Sequence, residues 1–189
     1  MVNCSMFIYR IDVEQLCLYV GEKMKTKKMT EFSMFLAVSL VLSYLESLLP
    51  VIFFVPGLKI GLANILTLII LYRLNWKWTI FFMTLRVTLA GFLFSGVTGI
   101  IYSFFGGLFC ILAMQIAKQC PFFSTLGVSV IGAVFHNLGQ IVIAVCLLEN
   151  IHVFYYFPVL CCFACVTGVL IGYLAYWLLK KYNQLFFKD

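Results

Sequence analysis

Residues Phe122–Leu148 read FFSTLGVSVIGAVFHNLGQIVIAVCLL and contain no Asp, Glu, Lys or Arg. A run of this length and character is what a helix needs to cross a hydrocarbon core of about 30 Å. His136, Asn137 and Gln140 nevertheless interrupt it well inside its ends. Lipid disfavours polar and ionisable groups, so residues placed this way face a bundle interior or a watered cavity. Glu46 and Arg86 repeat the pattern in two other apolar runs. The chain therefore reads as an all-α, polytopic integral membrane protein with a polar site inside its helix bundle.

Composition agrees. Charged residues make up 11% of the chain, against about 25% in soluble domains. The net charge of +6 does not point to nucleic acid. Lys23 to Lys28 and Lys180 to Lys188 hold most of the basic residues, and Arg73, Lys77 and Lys118 fall in short connections. These positions flank apolar runs and form no stripe that could follow a phosphate backbone. Cys162-x-x-Cys165 lies in an unbroken apolar run without a second such pair or a His at ligand spacing. It reads as small apolar helix filler, and neither a metal nor another cofactor is expected.

Six spans follow from the apolar runs: about Phe32–Leu49, Gly57–Arg73, Trp76–Ser95, Thr98–Ala117, Phe122–Leu148 and Val153–Leu179. They form a membrane domain over 29–182, followed by a short tail over 183–189. Residues 1–28 stand apart, because Arg10, Asp12 and Glu14 break the apolar stretch. That segment is neither a span nor a clean secretory signal, and is read as a disordered leader or a misassigned start upstream of Met24. With six spans both termini share the basic side, where Trp76, Trp78 and Trp177 also fall. The opposite connections hold only Lys59 and His152 as basic-type residues, together with Glu149. The positive-inside rule makes the terminal side cytoplasmic.

Counted from the cytoplasmic ends at 1.5 Å per residue, Glu46 lies about 20 Å up span one, Arg86 about 12–15 Å into span three and His136 about 20 Å into span five. Lys59 and Asn64 open span two from the other face. Glu46, Lys59, Asn64, Arg86, His136, Asn137 and Gln140 thus converge on the middle and outer leaflet. His136 and Gln140 share a helix face at i, i+4, and Asn137 lies about 100° round, within one broad polar sector. Such groups can simply pair across helices as packing contacts. Their number exceeds what packing needs, which favours a cavity that binds a small-molecule substrate. Arg86, Lys59 and His136 favour an anionic or strongly hydrogen-bonding ligand, whereas Glu46 favours a cationic or zwitterionic one. Gly168-x-x-x-Gly172, extended by Ala164, is a close-packing seam for another helix, and Ser33-x-x-x-Ala37 is a small-residue groove on span one. Pro50 and Pro56 bracket a stretch that reads as a re-entrant or capping loop, or as an ordinary hairpin.

Leu45-Glu46-Ser47-Leu48-Leu49-Pro50, Pro56-Gly57-Leu58-Lys59-Ile60-Gly61-Leu62-Ala63-Asn64, Leu85-Arg86-Val87 and His136-Asn137-Leu138-Gly139-Gln140 occur in that order. With these motifs the chain resembles, over about residues 30 to 180, the bacterial family named heptaprenyl diphosphate synthase component I, also called the Gx transporter family. Its six-span architecture resembles the substrate-binding S components of energy-coupling-factor transporters. The resemblance implies a bacterial inner-membrane protein that takes up a small solute, with a membrane coupling subunit and ATPases as partners. The other family name implies a non-catalytic accessory subunit of a polyprenyl diphosphate synthase. Synthases of that kind hold magnesium diphosphate with aspartate-rich motifs, and this chain has only Asp12 and Asp189. No GxxxxGK[ST] loop occurs either, so ATP hydrolysis would need separate proteins. A third reading is a membrane enzyme acting on a lipid, with Glu46 or His136 as acid or base.

Overall fold

The computed structural model describes the backbone of residues 26–48 and 61–186, and the side chains of 29–48 and 61–181. The leader (apart from the helical backbone of 26–28), the stretch Val51–Lys59 and the side chains of the tail lie outside the described residues. Every regular element described is helical: α1 (Thr26–Leu48), α2 (Asn64–Arg73), α3 (Trp76–Ala90), a π turn (Gly91–Ser95), α4 (Gly96–Gln119), α5 (Thr125–Leu148), a 3-10 turn (Ile151–Tyr156) and α6 (Phe157–Phe186). The chain divides into two compact units, Met1–Met34 and Phe35–Asp189. In the first, the described residues are the N-terminal turns of α1. The second holds the rest of α1 and all the other elements.

Among the described residues, four stretches are long and apolar enough to cross a membrane: Met29–Leu48, Trp76–Gln119, Thr125–Leu148 and Ile151–Lys181. The second of these is not one straight rod. At Gly96 the backbone takes φ 70°, a left-handed conformation that glycine adopts without penalty. Beyond it α4 runs back along α3. A Cβ on Gly91 would strike the Ile100 side chain, and one on Gly107 would lie 2.8 Å from the Met83 sulfur. Contacts that pair 91 with 100 and 83 with 107 define an antiparallel hairpin.

The same reversal continues through the bundle. Gly106 faces His136 and Gln140, and Gly132 faces Met114 and Cys110, so α5 is antiparallel to α4. Gly168 lies against Val130 and Gly172 against Leu126 and Ser129, so α6 is antiparallel to α5. The Gly168-x-x-x-Gly172 seam is therefore filled by α5 of the same chain. Ser124 starts α5 by accepting a hydrogen bond from the Gly127 N–H at 3.4 Å, a normal N-cap role.

Burial sorts the helices. Ile65 to Leu71 of α2 are buried without interruption, so this helix is apolar all round and sits inside the bundle. On α6, Val166, Leu170 and Tyr173 are each at least 60% exposed, an apolar outer surface suited to hydrocarbon rather than water. At the end holding Arg73, the Lys118 ammonium donates to the Leu71 carbonyl at 2.7 Å and lies over the Tyr72 ring. It thereby satisfies one of the carbonyls left over at the C-terminus of α2. Lys181 over Trp177 and Lys77 over Trp76 give that end an interfacial character.

The closest helix crossing yields a stability prediction. A Cβ on Gly139 would sit 2.9 Å from the Phe105 carbonyl and 3.0 Å from the Gly106 Cα, both backbone atoms that cannot give way. Gly139→Ala is expected to cost about 1–3 kcal/mol through overpacking. Gly96→Ala meets nothing within 4 Å, but φ 70° with ψ 177° is a backbone region essentially only glycine occupies, so it should cost about 1–3 kcal/mol in backbone strain. Thermal melts in detergent with a panel of larger side chains at both positions separate the cases. The penalty should grow with size at 139 and stay flat at 96.

Candidate functional site

The level at which polar residues meet is set by two short-range facts. The two-residue link Leu74–Asn75 folds α3 back along α2, and about 14 Å of helix separates Asn64 from that link, as about 15 Å separates Arg86 from it. The two side chains therefore arrive at one depth. There the Arg86 guanidinium donates to the Asn64 amide oxygen at 3.3 Å. Arg86 is 6% exposed, so its charge is essentially withdrawn from solvent.

Glu46 supplies the opposite charge. It is 8% exposed, acts electrostatically on Arg86, and its Oε1 accepts a short hydrogen bond from the Gly61 N–H. Gly61 has φ 79°, which only glycine adopts freely, and residues 61–63 are not helical. The N-terminus of α2 thus begins within the bundle, and its partial positive charge falls beside the carboxylate.

Around these groups lies a cavity of about 100 Å3, room for several waters or a small solute. Ser43, Glu46 and Ser47 of α1 form one wall, with Gly61, Ala63 and Asn64 beside them. Arg86, Val87 and Ala90 of α3 form a second, continued by Gly91 and Ser95 of the π turn. Gly99 and Ser103 of α4 and His136 of α5 complete it. Gly106 and Gly139 let α4 and α5 touch backbone to backbone one turn from His136, which brings the imidazole up to the cavity.

The sequence expectations meet this geometry unevenly. Glu46, Asn64, Arg86 and His136 come together on the cavity. Asn137 does not: its amide donates to the Leu160 carbonyl of α6 at 3.1 Å, so the broad polar sector on α5 divides between two neighbours. Gln140 is buried but lies over Gly106 and outside the cavity wall. Lys59 falls outside the described residues. Four serines were missed. Ser43 lies one turn before Glu46 and Ser47 directly after it, four residues from Ser43 on one face, and Ser95, Gly99 and Ser103 recur every fourth residue. That spacing was the available signal. Among the described residues no group of three His, Cys, Asp or Glu is placed to hold a metal ion.

A helical chain with stretches long enough for a membrane and a cavity lined by buried Glu46, Arg86 and His136 defines the class. More specifically, the chain belongs to the heptaprenyl diphosphate synthase component I family, whose model matches residues 35–178. No curated relative and no solved structure matches it.

Two expectations follow. Arg86→Ala and Glu46→Ala should each destabilise by about 3–5 kcal/mol, since each leaves a buried charge uncompensated. The double variant should recover a substantial part of the loss in a double-mutant cycle. Asn137→Ala should cost only about 0.6–1.7 kcal/mol, the range for one interhelical hydrogen bond in a membrane protein, and should leave ligand binding intact. Detergent melts of all four variants check the stabilities, and native mass spectrometry of Asn137→Ala checks retention of a bound molecule.

Proposed function

We propose that the chain is a membrane transport protein, or the substrate-binding membrane subunit of a transporter, that takes up a small solute through this cavity. The observation that carries the reading is that five helices each bring a polar side chain to one cavity: Glu46, Asn64, Arg86, Ser103 and His136. A packing role needs pairs; it does not need a cavity. α2 adds support. Its helix covers about 15 Å, half of a hydrocarbon core, and starts at the cavity. Transporters place the N-termini of such half-length helices at their substrate sites.

In this reading the chain crosses the bacterial inner membrane six times, in an arrangement like that of the S components, with both termini cytoplasmic. The hairpin at Gly96 supports counting α3 and α4 as separate spans. Of the residues expected from the sequence, Glu46, Asn64, Arg86 and His136 line the cavity and are proposed to bind the substrate with Lys59, while Asn137 and Gln140 are proposed to hold the helices that frame it. The energy would come from a membrane coupling subunit and ATPases. The second reading rests on the family description: a non-catalytic membrane subunit of a heptaprenyl diphosphate synthase. Neither reading makes this chain a catalyst.

Native mass spectrometry of the detergent-purified protein tests the proposal. A small molecule should be carried by the wild type and lost from a folded Arg86→Ala variant. Co-purification separates the readings, since an ATPase pair supports transport and a soluble prenyl synthase the accessory role. Retention of the same bound molecule by Arg86→Ala would remove the site.

A further inference from the structure

The lining of the cavity locates its entrance. Of the described residues around it, only Ser47 of α1 and Ser95 of the π turn are exposed, whereas Arg86 and His136 are buried. The cavity therefore meets the exterior at the gap between α1 and the π turn. Beside that gap the rings of Tyr44 and Phe94 touch, with centroids 5.2 Å apart and planes at 45°. Tyr44 lies one turn before Ser47, and Phe94 directly before Ser95. The contact thus joins the two walls at the edge of the entrance. Both rings are part-exposed, at 45% and 38%, so neither is locked into the core.

These two walls are also the ones best able to part. Between Phe35 and Leu48, α1 buries only Ser39 and Glu46, and no apolar side chain. It lacks the continuous close packing that holds helices together in lipid. The π turn is bounded by glycines at both ends, Gly91 within it and Gly96 just beyond, where φ is 70° and ψ 177°. Such π segments interrupt the regular hydrogen-bond ladder and occur mostly at functional sites. The other walls are jammed. Gly107 leaves no room between α3 and α4, and Gly139 none between α4 and α5.

Resting on the reading of this cavity as a solute site, we propose that α1 and the π turn form its entrance, and that Tyr44 and Phe94 are the latch holding it shut. A solute passes between Ser47 and Ser95 when the rings separate and α1 moves away from the π turn. The latch works alike on a solute of any charge. An aromatic pair of this kind biases the gap towards closure by a factor of about two to ten, which thermal motion readily overcomes.

A thiol behind the latch reports on it. Ser103→Cys, on the α4 wall of the cavity, and Leu170→Cys, on the exposed surface of α6, are each introduced into the full chain. Both are treated with methyl methanethiosulfonate, and peptide mass spectrometry follows the introduced thiol beside the natural cysteines. The thiol of Ser103→Cys should react more slowly than that of Leu170→Cys. Tyr44→Ala or Phe94→Ala, each added to Ser103→Cys, should speed its reaction by about two- to tenfold and leave Leu170→Cys unchanged. Tyr44→Phe keeps the ring and should leave the rate as it was. Ser47→Trp fills the entrance and should slow the reaction severalfold.

Unchanged rates in folded Tyr44→Ala and Phe94→Ala would overturn the latch. An unchanged rate in Ser47→Trp would overturn the entrance, since the reagent then arrives by another way. Ser47 is exposed, so this variant reads the entrance even where a ring variant fails to fold. A chain that carries no small molecule in native mass spectrometry, yet shows the ring and Ser47→Trp effects, would remove the solute-binding reading while supporting the entrance.

Discussion

A guanidinium buried at mid-height in an apolar bundle organises the rest of the molecule. An ionised arginine at the centre of a membrane helix costs at least about 2.5–3.5 kcal/mol on insertion scales, so something must compensate it. Arg86 is answered by the Asn64 oxygen and by the charge of Glu46. Each answer comes from a different helix, so satisfying one side chain ties α1 and α2 to α3. The requirement also explains the short α2. An α2 that continued unbroken past Asn64 would offer no N–H there to hold the Glu46 carboxylate.

Close packing on the other side is complementary. Lipid gives apolar helices no hydrophobic reason to associate, so they are held by contact and by interhelical hydrogen bonds. Glycines supply the contact: Gly106 with Gly139, Gly132 with Met114, Gly168 and Gly172 with α5. The Asn137 amide, bonded to Leu160, supplies a hydrogen bond in the same seam. One face of α5 is thus spent on holding α4 and α6, which leaves His136 as its contribution to the cavity. The polar residues do two separate jobs, and the glycines decide which residue does which.

Much of this was legible in the sequence. The apolar runs marked the helices, because in hydrocarbon every backbone group must be satisfied internally and length translates directly into a span. Glu46, Arg86 and His136 stood out for the same reason: an ionisable residue in such a run has few permissible positions. Asn137 turns to Leu160 instead of the cavity, because helix spacing gives an angle but not the neighbour that waits there. The antiparallel helices α4 and α6 both pack on α5, so a difference of about 100° changes the partner altogether. The serines were missed because hydroxyls satisfy themselves on their own helix, as Ser39 does on Leu36 and Ser47 on Tyr44. A serine in an apolar run therefore carries little information until the cavity beside it is seen. The reversal at Gly96 was visible only as a gap between two runs. Its cause, a left-handed glycine against a π turn, is a backbone property that no apolar pattern encodes.

The two readings of this family make different demands on that architecture. A subunit whose sole role is to hold a partner enzyme at the membrane needs helices that pack and a surface to present. It gains nothing from a helix that starts half-way across, since the exposed N–H groups at that start must be satisfied at a depth where water is scarce. Nor does it gain from opposite charges beside a cavity, because a buried pair is weak support for stability and is often matched by apolar residues of similar volume. Here the half-length helix, the charge pair and the hydroxyl-lined space coincide at one point. Each is a liability in hydrocarbon taken alone, and their coincidence is the ground on which the solute-binding proposal is preferred to the accessory one.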